Sequence, residues 1–327
     1  MKSKGYSNQV VDLFCGGGGF SRGFHEAGFT VTLGVDNLKS AAKTFKLNFP
    51  QATTIAEDIK EIDGHTIHSI LEDRPEVIIG SPPCEPFTAA NPSRMKKPID
   101  RLYVDPMGRL VLHFIRIVSE IRPKVWVMEN VPGILESELE YALKREFRRA
   151  GYPKVYFNVL RAEDYCTPSR RVRVFISNIP LEPEKCARKI TVKEALSGLP
   201  PPNTREPPNH EPPTASPRKV KKIKKLKQGQ ALIYYEGSGG RRIPNVIRLK
   251  EDETAPPVLG SSRFVHPTED RFLTVREQAR LMGYPDSHIF LGGRDEQYDM
   301  VGESVPPPLS RAIATYIKSV LSEGEVE

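Results

Sequence analysis

The sequence predicts an α/β fold, an open sheet with helices on both faces joined to a smaller irregular unit. Three observations predict it. The chain opens with a strand, a glycine-rich turn and a helix, the start of a nucleotide-binding βαβ unit. Compact apolar runs at Val77–Ile79 and Lys124–Met128 alternate with helical patterns, and each delivers polar residues to a sheet edge. From residue 179 onward a proline-rich and then lysine-rich stretch follows neither period. The expected division is 1–178, completed by 296–327, for the sheet and 179–295 for the second unit.

Val10–Phe14 reads as the first strand, running into Cys15-Gly16-Gly17-Gly18-Gly19-Phe20 and a helix through Gly23, Phe24 and Ala27. Missing side chains in such a turn let a ligand approach the backbone. Thr30–Val35 is the second strand and ends at Asp36. That acid lies about twenty residues past the glycines, where a carboxylate can bind both hydroxyls of a ribose. The strict Gly-x-Gly-x-x-Gly fingerprint is missing, because its third glycine falls on Ser21 or Arg22. An adenosine-bearing cofactor is therefore favoured over a nicotinamide dinucleotide. A helix over Ser40–Asn48 and a short strand near Thr53–Ala56 lead to Asp58-Ile59, a carboxylate for an exocyclic amine and an aliphatic face for a ring.

A helix over Gly64–Glu72 precedes the strand Val77–Ile79, which meets Gly80-Ser81-Pro82-Pro83-Cys84-Glu85-Pro86-Phe87-Thr88. Proline fixes φ and removes a donor, so this turn is stiff. Cys84 thus sits at a strand's C-terminal end, where open α/β sheets bind ligands. Taken alone, it reads more readily as a small buried hydrophobe. Thr88–Asp105, with Arg94, Lys96, Lys97 and Arg101, is predicted to be an irregular, mobile lid. Leu110, Phe114, Ile117, Val118 and Ile121 recur at helical spacing, and Pro123 ends that helix. Lys124–Met128 is a central strand that delivers Glu129-Asn130, and Glu129 suits proton donation if desolvation raises its pKa. A helix through Leu143 and Phe147 and a strand over Val155–Leu160 follow. Pro168–Ile176 reads as turn then strand, with Arg171 and Arg173 on one face because side chains alternate. Ala312–Val320 is the last helix.

At 327 residues the chain can bury a full core. No apolar run reaches membrane-spanning length and Met1–Asn8 lacks a signal-peptide core, so a cytoplasmic location away from membranes is expected. Cys15, Cys84, Cys166 and Cys186 lie far apart without a Cys-x-x-Cys, which suggests neither a metal site nor a disulfide framework. The net charge of +7 has one source, since Arg218–Lys227 holds seven basic residues and the remainder balances. A polyanion would meet its strongest field there; a solvated tether is the alternative.

In order, Asp12-Leu13-Phe14 with its glycines, Pro82-Pro83-Cys84, Glu129-Asn130-Val131 and the Arg-x-Arg of Arg171 and Arg173 resemble the DNA (cytosine-5) methyltransferases. Leu273-Thr274-Val275-Arg276-Glu277 with Gly283-Tyr284-Pro285, and Val301-Gly302-Glu303-Ser304-Val305-Pro306, are similar to that family's last two motifs. The resemblance spans nearly the whole chain. It implies a Rossmann-like sheet binding S-adenosylmethionine, with Phe14 against the adenine, Asp36 on the ribose and Asp58-Ile59 around the adenine edge. Gly16, Gly17, Gly18 and Gly19 would admit the methionine portion, with Ser81, Pro82, Glu303 and Ser304 alongside. About Ile179 to Ser262 would read the target; Pro180–Pro217 holds ten of the 30 prolines there and is expected to lack regular structure.

By the same resemblance Cys84 adds to carbon 6 of a flipped cytosine, Glu129 relieves charge at nitrogen 3, and Arg173, supported by Arg171, holds the base and the loop. Double-stranded DNA is the implied partner of a monomeric enzyme, and a cognate restriction endonuclease a companion. Arg94, Lys96, Lys97, Lys221, Lys222, Lys224, Lys225, Arg241 and Arg242 are the candidate DNA contacts. Three positions depart from the family: Glu85 for glutamine, Thr88 for serine and Glu303 for asparagine. A carboxylate beside the thiol slows attack unless neutralised, so Glu85 is expected to pair with a cation of the lid or of the Arg171 region. Two alternatives stand beside DNA methylation. One branch of the family acts on transfer RNA and shares the Pro-Pro-Cys-x-Pro-Phe-Thr wording of Pro82–Thr88, although no Cys-Phe-Thr appears in the recognition region. The other is a catalytically silent DNA-binding relative.

Overall fold

A computed structural model of the chain describes residues 7–71, 74–136, 138–237, 240, 242–260 and 264–324. The first half alternates strand and helix: β1 (Ser7–Leu13), α1 (Gly19–Glu26), β2 (Thr30–Val35), α2 (Lys39–Asn48), β3 (Thr53–Ile55), α3 (Gly64–Ile70) and β4 (Pro75–Gly80). Then come α4 (Pro98–Tyr103), α5 (Leu110–Ile121), β5 (Val125–Asn130), α6 (Glu138–Arg149), β6 (Tyr156–Arg161) and β7 (Val172–Ser177). These seven strands form one sheet in the order β3-β2-β1-β4-β5-β7-β6. β1 to β5 run parallel, and β7 is antiparallel to both its neighbours. Strand order reverses between β1 and β4, which opens a crevice at their C-terminal ends.

Side-chain alternation decides which helix covers which face. Val11, Ile78, Trp126 and Met128 pack with α3, α5 and α6 on one side. Val10, Val77, Ile79, Val125 and Val127 pack with α1, α2 and the final helix, α11 (Pro307–Glu323), on the other. Trp126 is fully buried and stacks on Phe147 at 4.0 Å between centroids. Truncating Phe147 to alanine should cost about 3–5 kcal/mol. The C-terminal helix packs against α1: Ser310 Oγ donates to the Phe20 carbonyl at 2.5 Å.

The second unit contains α7 (Val192–Leu196), α8 (Pro217–Ile223), a hairpin of β8 (Ala231–Glu236) and β9 (Arg242–Ile247), and α9 (Val275–Leu281); α10 (Arg294–Glu303), which straddles the expected boundary at 295/296, packs on it. Val192, Phe264, Leu273, Leu281, Tyr298 and Val301 share its main core. Prolines delete backbone donors, so a proline-rich chain carries carbonyls without matching N–H groups. Buried arginines supply the deficit. Arg276 donates to the carbonyls of Pro208, Pro285 and His288. Arg248 does the same for Ile223, His266 and Glu269 and also pairs with Asp270.

Three expectations need correction. The Thr88–Asp105 segment is not wholly irregular: α4 forms within it because Pro98 suits a helix's first turn and Leu102 is buried. Pro180–Pro217 holds α7, which forms in a proline-free interval behind a reciprocal Thr191–Glu194 capping box. Cys166 and Cys186 are joined by a disulfide with a Cα separation of 5.7 Å, a pairing their spacing did not suggest.

Candidate active site

Four chain segments converge on the crevice. β1 and β4 are neighbours, so the turns that follow them, Phe14–Gly19 and Ser81–Cys84, lie side by side. β5 adds Glu129 from its C-terminal end. Because β7 runs antiparallel to β5, its beginning lies beside that end and brings Arg173 there. Together they wall a cavity of about 270 Å³ lined by Phe14, Gly16, Gly17, Gly19, Asp36, Asp58, Ile59, Ser81, Pro82, Cys84, Glu129, Arg171, Arg173, Glu303 and Ser304. Every predicted catalytic residue is on that wall, and so is every predicted cofactor residue except Gly18, which is the N-cap of α1 and faces Phe49.

The Cys84 turn is held from several sides. Asn130 Nδ2 donates to the Pro82 carbonyl at 3.1 Å, and Phe87 N and Thr88 N both donate to the Cys84 carbonyl at 3.0 Å. Gly133 packs so closely on the Phe87 carbonyl that a Cβ there would lie 2.0 Å from its oxygen. Arg94 Nη1 donates to the same carbonyl at 3.3 Å and pairs with Glu136 at 2.8 Å. Burial pushes the Cys84 thiol up to about 11; Arg173 opposes the rise, while Glu129 and Glu85 add to it.

The two arginines divide their work. Arg173 Nε pairs with Glu129 Oε1 at 2.9 Å. Arg171 instead donates to the carbonyls of Val258, Gly302 and Glu303 at 3.0, 2.7 and 3.2 Å, fastening the second unit and α10 to the sheet. Burial, then Arg173, lowers its pKa to about 9, which keeps it charged at neutral pH.

At the other end of the cavity Asp36 caps the glycine turn, accepting from Gly16 N at 2.8 Å and Leu38 N at 2.9 Å. Gly16 has φ +49° and nothing within 4 Å of where its Cβ would stand, so the cavity reaches the bare backbone. Asp58 caps a short 3-10 turn and binds Lys60, while the buried Ile59 supplies an apolar face. An aromatic face at Phe14, an aliphatic one at Ile59 and carboxylates at Asp36 and Asp58 fit an adenosine. Asp36's two oxygens keep lone pairs for ribose hydroxyls.

Glu85 is exposed, and among the described residues no cation pairs with its carboxylate, which corrects the expected ion pair. The nearby guanidiniums are already occupied by Glu136, Glu129 and backbone carbonyls. Glu303 faces the same cavity; burial and then the charge of Glu85 raise its pKa to about 7.

Some functional groups escaped the sequence reading. Asn130 stood in a recognised motif without a role. Asp12 lies buried under the glycine turn, accepts from Ser21 Oγ at 2.6 Å, and is raised by burial to about 7. An acid inside the apolar run Val10–Phe14 was the available signal. His288 Nε2 donates to the Gly17 carbonyl at 2.7 Å, and burial drops its pKa to about 3, so it is neutral. Tyr284 Oη donates to Ser304 Oγ at 2.6 Å. Of the candidate DNA contacts, Arg94 is engaged internally, Lys96, Lys97, Lys221, Lys222, Lys224, Lys225 and Arg242 are exposed, and Arg241 lies outside the described residues.

The family model described as C-5 cytosine-specific DNA methylase matches residues 8–319. A Methanocaldococcus jannaschii chain named as type II methyltransferase M.MJ0563P is 48% identical over 95% of this chain and 99% of its own length. The type II methyltransferase M1.HphI of Haemophilus parahaemolyticus is 33% identical over 93% of this chain and 85% of its own. A prophage-encoded Escherichia coli chain described as a DNA modification methyltransferase shares the fold, with a TM-score of 0.79 at 24% identity, covering 97% of this chain and 100% of its own.

Proposed function

The chain belongs to the C-5 cytosine-specific DNA methylases, and from that membership we propose that it methylates carbon 5 of cytosine within a specific duplex sequence, as the modification enzyme of a type II system. One observation carries the reading: the Cys84 thiol, Glu129 and Arg173 share a single cavity with Phe14, Asp36, Asp58 and Ile59, side chains that suit an adenosine. S-adenosylmethionine is the cofactor that fits, held by Phe14, Asp36, Asp58, Ile59 and the bare backbone at Gly16. When bound, it supplies a methyl group on an electrophilic sulfonium.

Cytosine carbon 5 is too weak a nucleophile by itself. Addition of the Cys84 thiolate to carbon 6 gives carbon 5 enamine character, and the low basicity of a thiolate lets it leave again. The charge that addition puts on the ring gathers at nitrogen 3, where Glu129, having taken the proton that the Cys84 thiol gives up, passes it on. Arg173 orients Glu129 and favours the thiolate by its charge. Once carbon 5 is methylated, a base removes its proton and the thiolate is eliminated. Arg171 acts as a positioning residue, holding α10 and the second unit against the cavity. Cys84 cannot reach carbon 6 inside a stacked duplex, so the base must be flipped out. Glu85 and Glu303 line the same cavity and add negative charge to it, which would favour a cationic cofactor. A cytoplasmic, monomeric enzyme acting with a cognate endonuclease completes this reading.

The test is transfer of labelled methyl from S-adenosylmethionine to duplex DNA and to transfer RNA side by side, with covalent trapping on DNA containing 5-fluorocytosine. DNA should be labelled, and the adduct should require Cys84. Label on transfer RNA alone would reassign the substrate, and labelled DNA without an adduct on the 5-fluorocytosine duplex would remove the mechanism.

A further inference from the structure

Residues 16–19 are all glycine, and Gly16 and Gly18 have left-handed φ of +49° and +81°. The peptide joining Gly17 to Gly18 is therefore free of side chains on both sides, and sterics alone do not fix its orientation. Two hydrogen bonds hold it. Gly18 N donates to the Cys15 carbonyl at 2.8 Å from within the turn. His288 Nε2 donates to the Gly17 carbonyl at 2.7 Å from 271 residues further along the chain, in the second unit.

His288 is fully buried among Phe49, Tyr284 and Phe290, with ring centroids 6.4, 4.7 and 5.1 Å away. A phenylalanine would suit that packing. A carbonyl oxygen only accepts, so Nε2 carries the proton and Nδ1 is left as an acceptor. Nδ1 is buried and has no hydrogen-bond partner among the described residues. An unpaired buried acceptor is a standing cost that phenylalanine would not carry. The imidazole is thus explained by its one donor.

The segment around His288 is fixed from two sides. Within the second unit, Arg276 Nη2 donates to the His288 carbonyl at 2.5 Å, and Asn209 exchanges hydrogen bonds of 2.8 and 3.0 Å with Phe290. On the sheet side, Asn48 of α2 exchanges bonds of 2.8 and 3.0 Å with Ile289. A donor locked by such neighbours holds its acceptor in one place. Gly16 and Gly17 line the cavity and His288 does not, so the carbonyl it holds is turned away from the cavity. A flipped peptide would put that oxygen into space the ligand needs.

We propose that His288 is a positioning residue for the cofactor: by pinning the Gly17 carbonyl it keeps the glycine turn in its binding-competent form and makes cofactor affinity depend on the second unit. This rests on the S-adenosylmethionine reading above.

The experiment titrates the full-length protein with S-adenosylmethionine by calorimetry, without DNA, for wild type, His288→Phe and His288→Gln. Phenylalanine keeps a ring in the aromatic cluster and removes the donor. Its Kd should rise about tenfold, as for a turn that is competent about one-tenth of the time. Glutamine restores an N–H and should recover most of the affinity. In methyl transfer to duplex DNA, the cofactor KM of His288→Phe should rise by the same factor, with kcat at saturating cofactor within about twofold of wild type. Should His288→Phe fail to fold, His288→Met, which matches glutamine in length and lacks the donor, takes its place. Wild-type affinity in a folded variant without the donor overturns the proposal. Equal weakening with and without the donor, or a fall in kcat alone, marks a packing role and also overturns it. A wild type that binds S-adenosylmethionine but labels no duplex overturns the DNA-methylating reading, and affinity alone then decides the role of His288. A wild type that binds no S-adenosylmethionine overturns both.

Discussion

Arg173 Nε stands 2.9 Å from Glu129 Oε1, and the cavity that holds this ion pair also holds the Cys84 thiol. Arg173 is the strongest influence lowering a thiol that burial raises to about 11. The thiolate fraction, and with it alkylation of Cys84 by iodoacetamide, should rise about tenfold per pH unit from 7 to 10. Arg173→Ala removes the cation and leaves Glu129 unbalanced, and both changes push the thiol further up. At any pH in that range the variant should be alkylated at least about tenfold more slowly. Peptide mass mapping separates Cys84 from the buried Cys15, and an unchanged rate would show that Arg173 does not tune the thiol.

Glu303 gives a second pH signature. Its native pKa is raised from 4.5 to about 7 by burial and by Glu85. It is therefore largely protonated below 7 and ionised above. A cation bound beside it stabilises the ionised form, so cofactor binding should release a proton and tighten as pH rises from 6 to 8. In Glu303→Gln that dependence should flatten, and Glu85→Gln should move its midpoint downward by removing a like charge. Calorimetric titration with S-adenosylmethionine at several pH values and in two buffers measures both affinity and proton release. Equal slopes in wild type and Glu303→Gln would rule out this carboxylate as the source.

Residues whose roles are local were legible in the sequence. Cys84 was visible because prolines stiffen its turn, and Asp36 because it stands a fixed distance beyond the glycines. Contacts between distant segments were not. That Arg171 would grip the carbonyls of Val258, Gly302 and Glu303 depends on chain 87 to 132 residues away. That Glu85 would find no cation depends on Arg94 and Arg101 being taken by Glu136, which only packing decides. The exposure of Tyr234 and Tyr235 on β8 was likewise not legible, because it depends on which surfaces the fold leaves uncovered.

The Cys166–Cys186 disulfide closes a loop with a sequence separation of 20 that contains both site arginines. Constraining a loop of that size in the unfolded chain is worth about 3 kcal/mol. Reduction, or Cys166→Ser, should therefore lower stability by about that energy and the denaturant midpoint with it, with m rising slightly because the unfolded chain is less constrained. Equal midpoints for oxidised and reduced protein would mean that the bond adds nothing to stability.

The last prediction separates grip from reading. Lys221, Lys222, Lys224 and Lys225 are exposed, and among the described residues no acid pairs with them, so they are available to phosphates. Each lysine that neutralises a phosphate releases a condensed counterion and steepens the fall of log K with log salt by about 0.9. Replacing all four by alanine should make that slope shallower by up to about 3–4 and weaken binding most at low salt. Because phosphates carry no sequence information, discrimination between the target and its single-base-pair variants should survive. Ile223 is left in place, so the packing beneath the β8–β9 hairpin is retained. An unchanged slope would return the run to a solvated tether. A shallower slope with lost discrimination would mean that α8 reads sequence as well as holding the backbone.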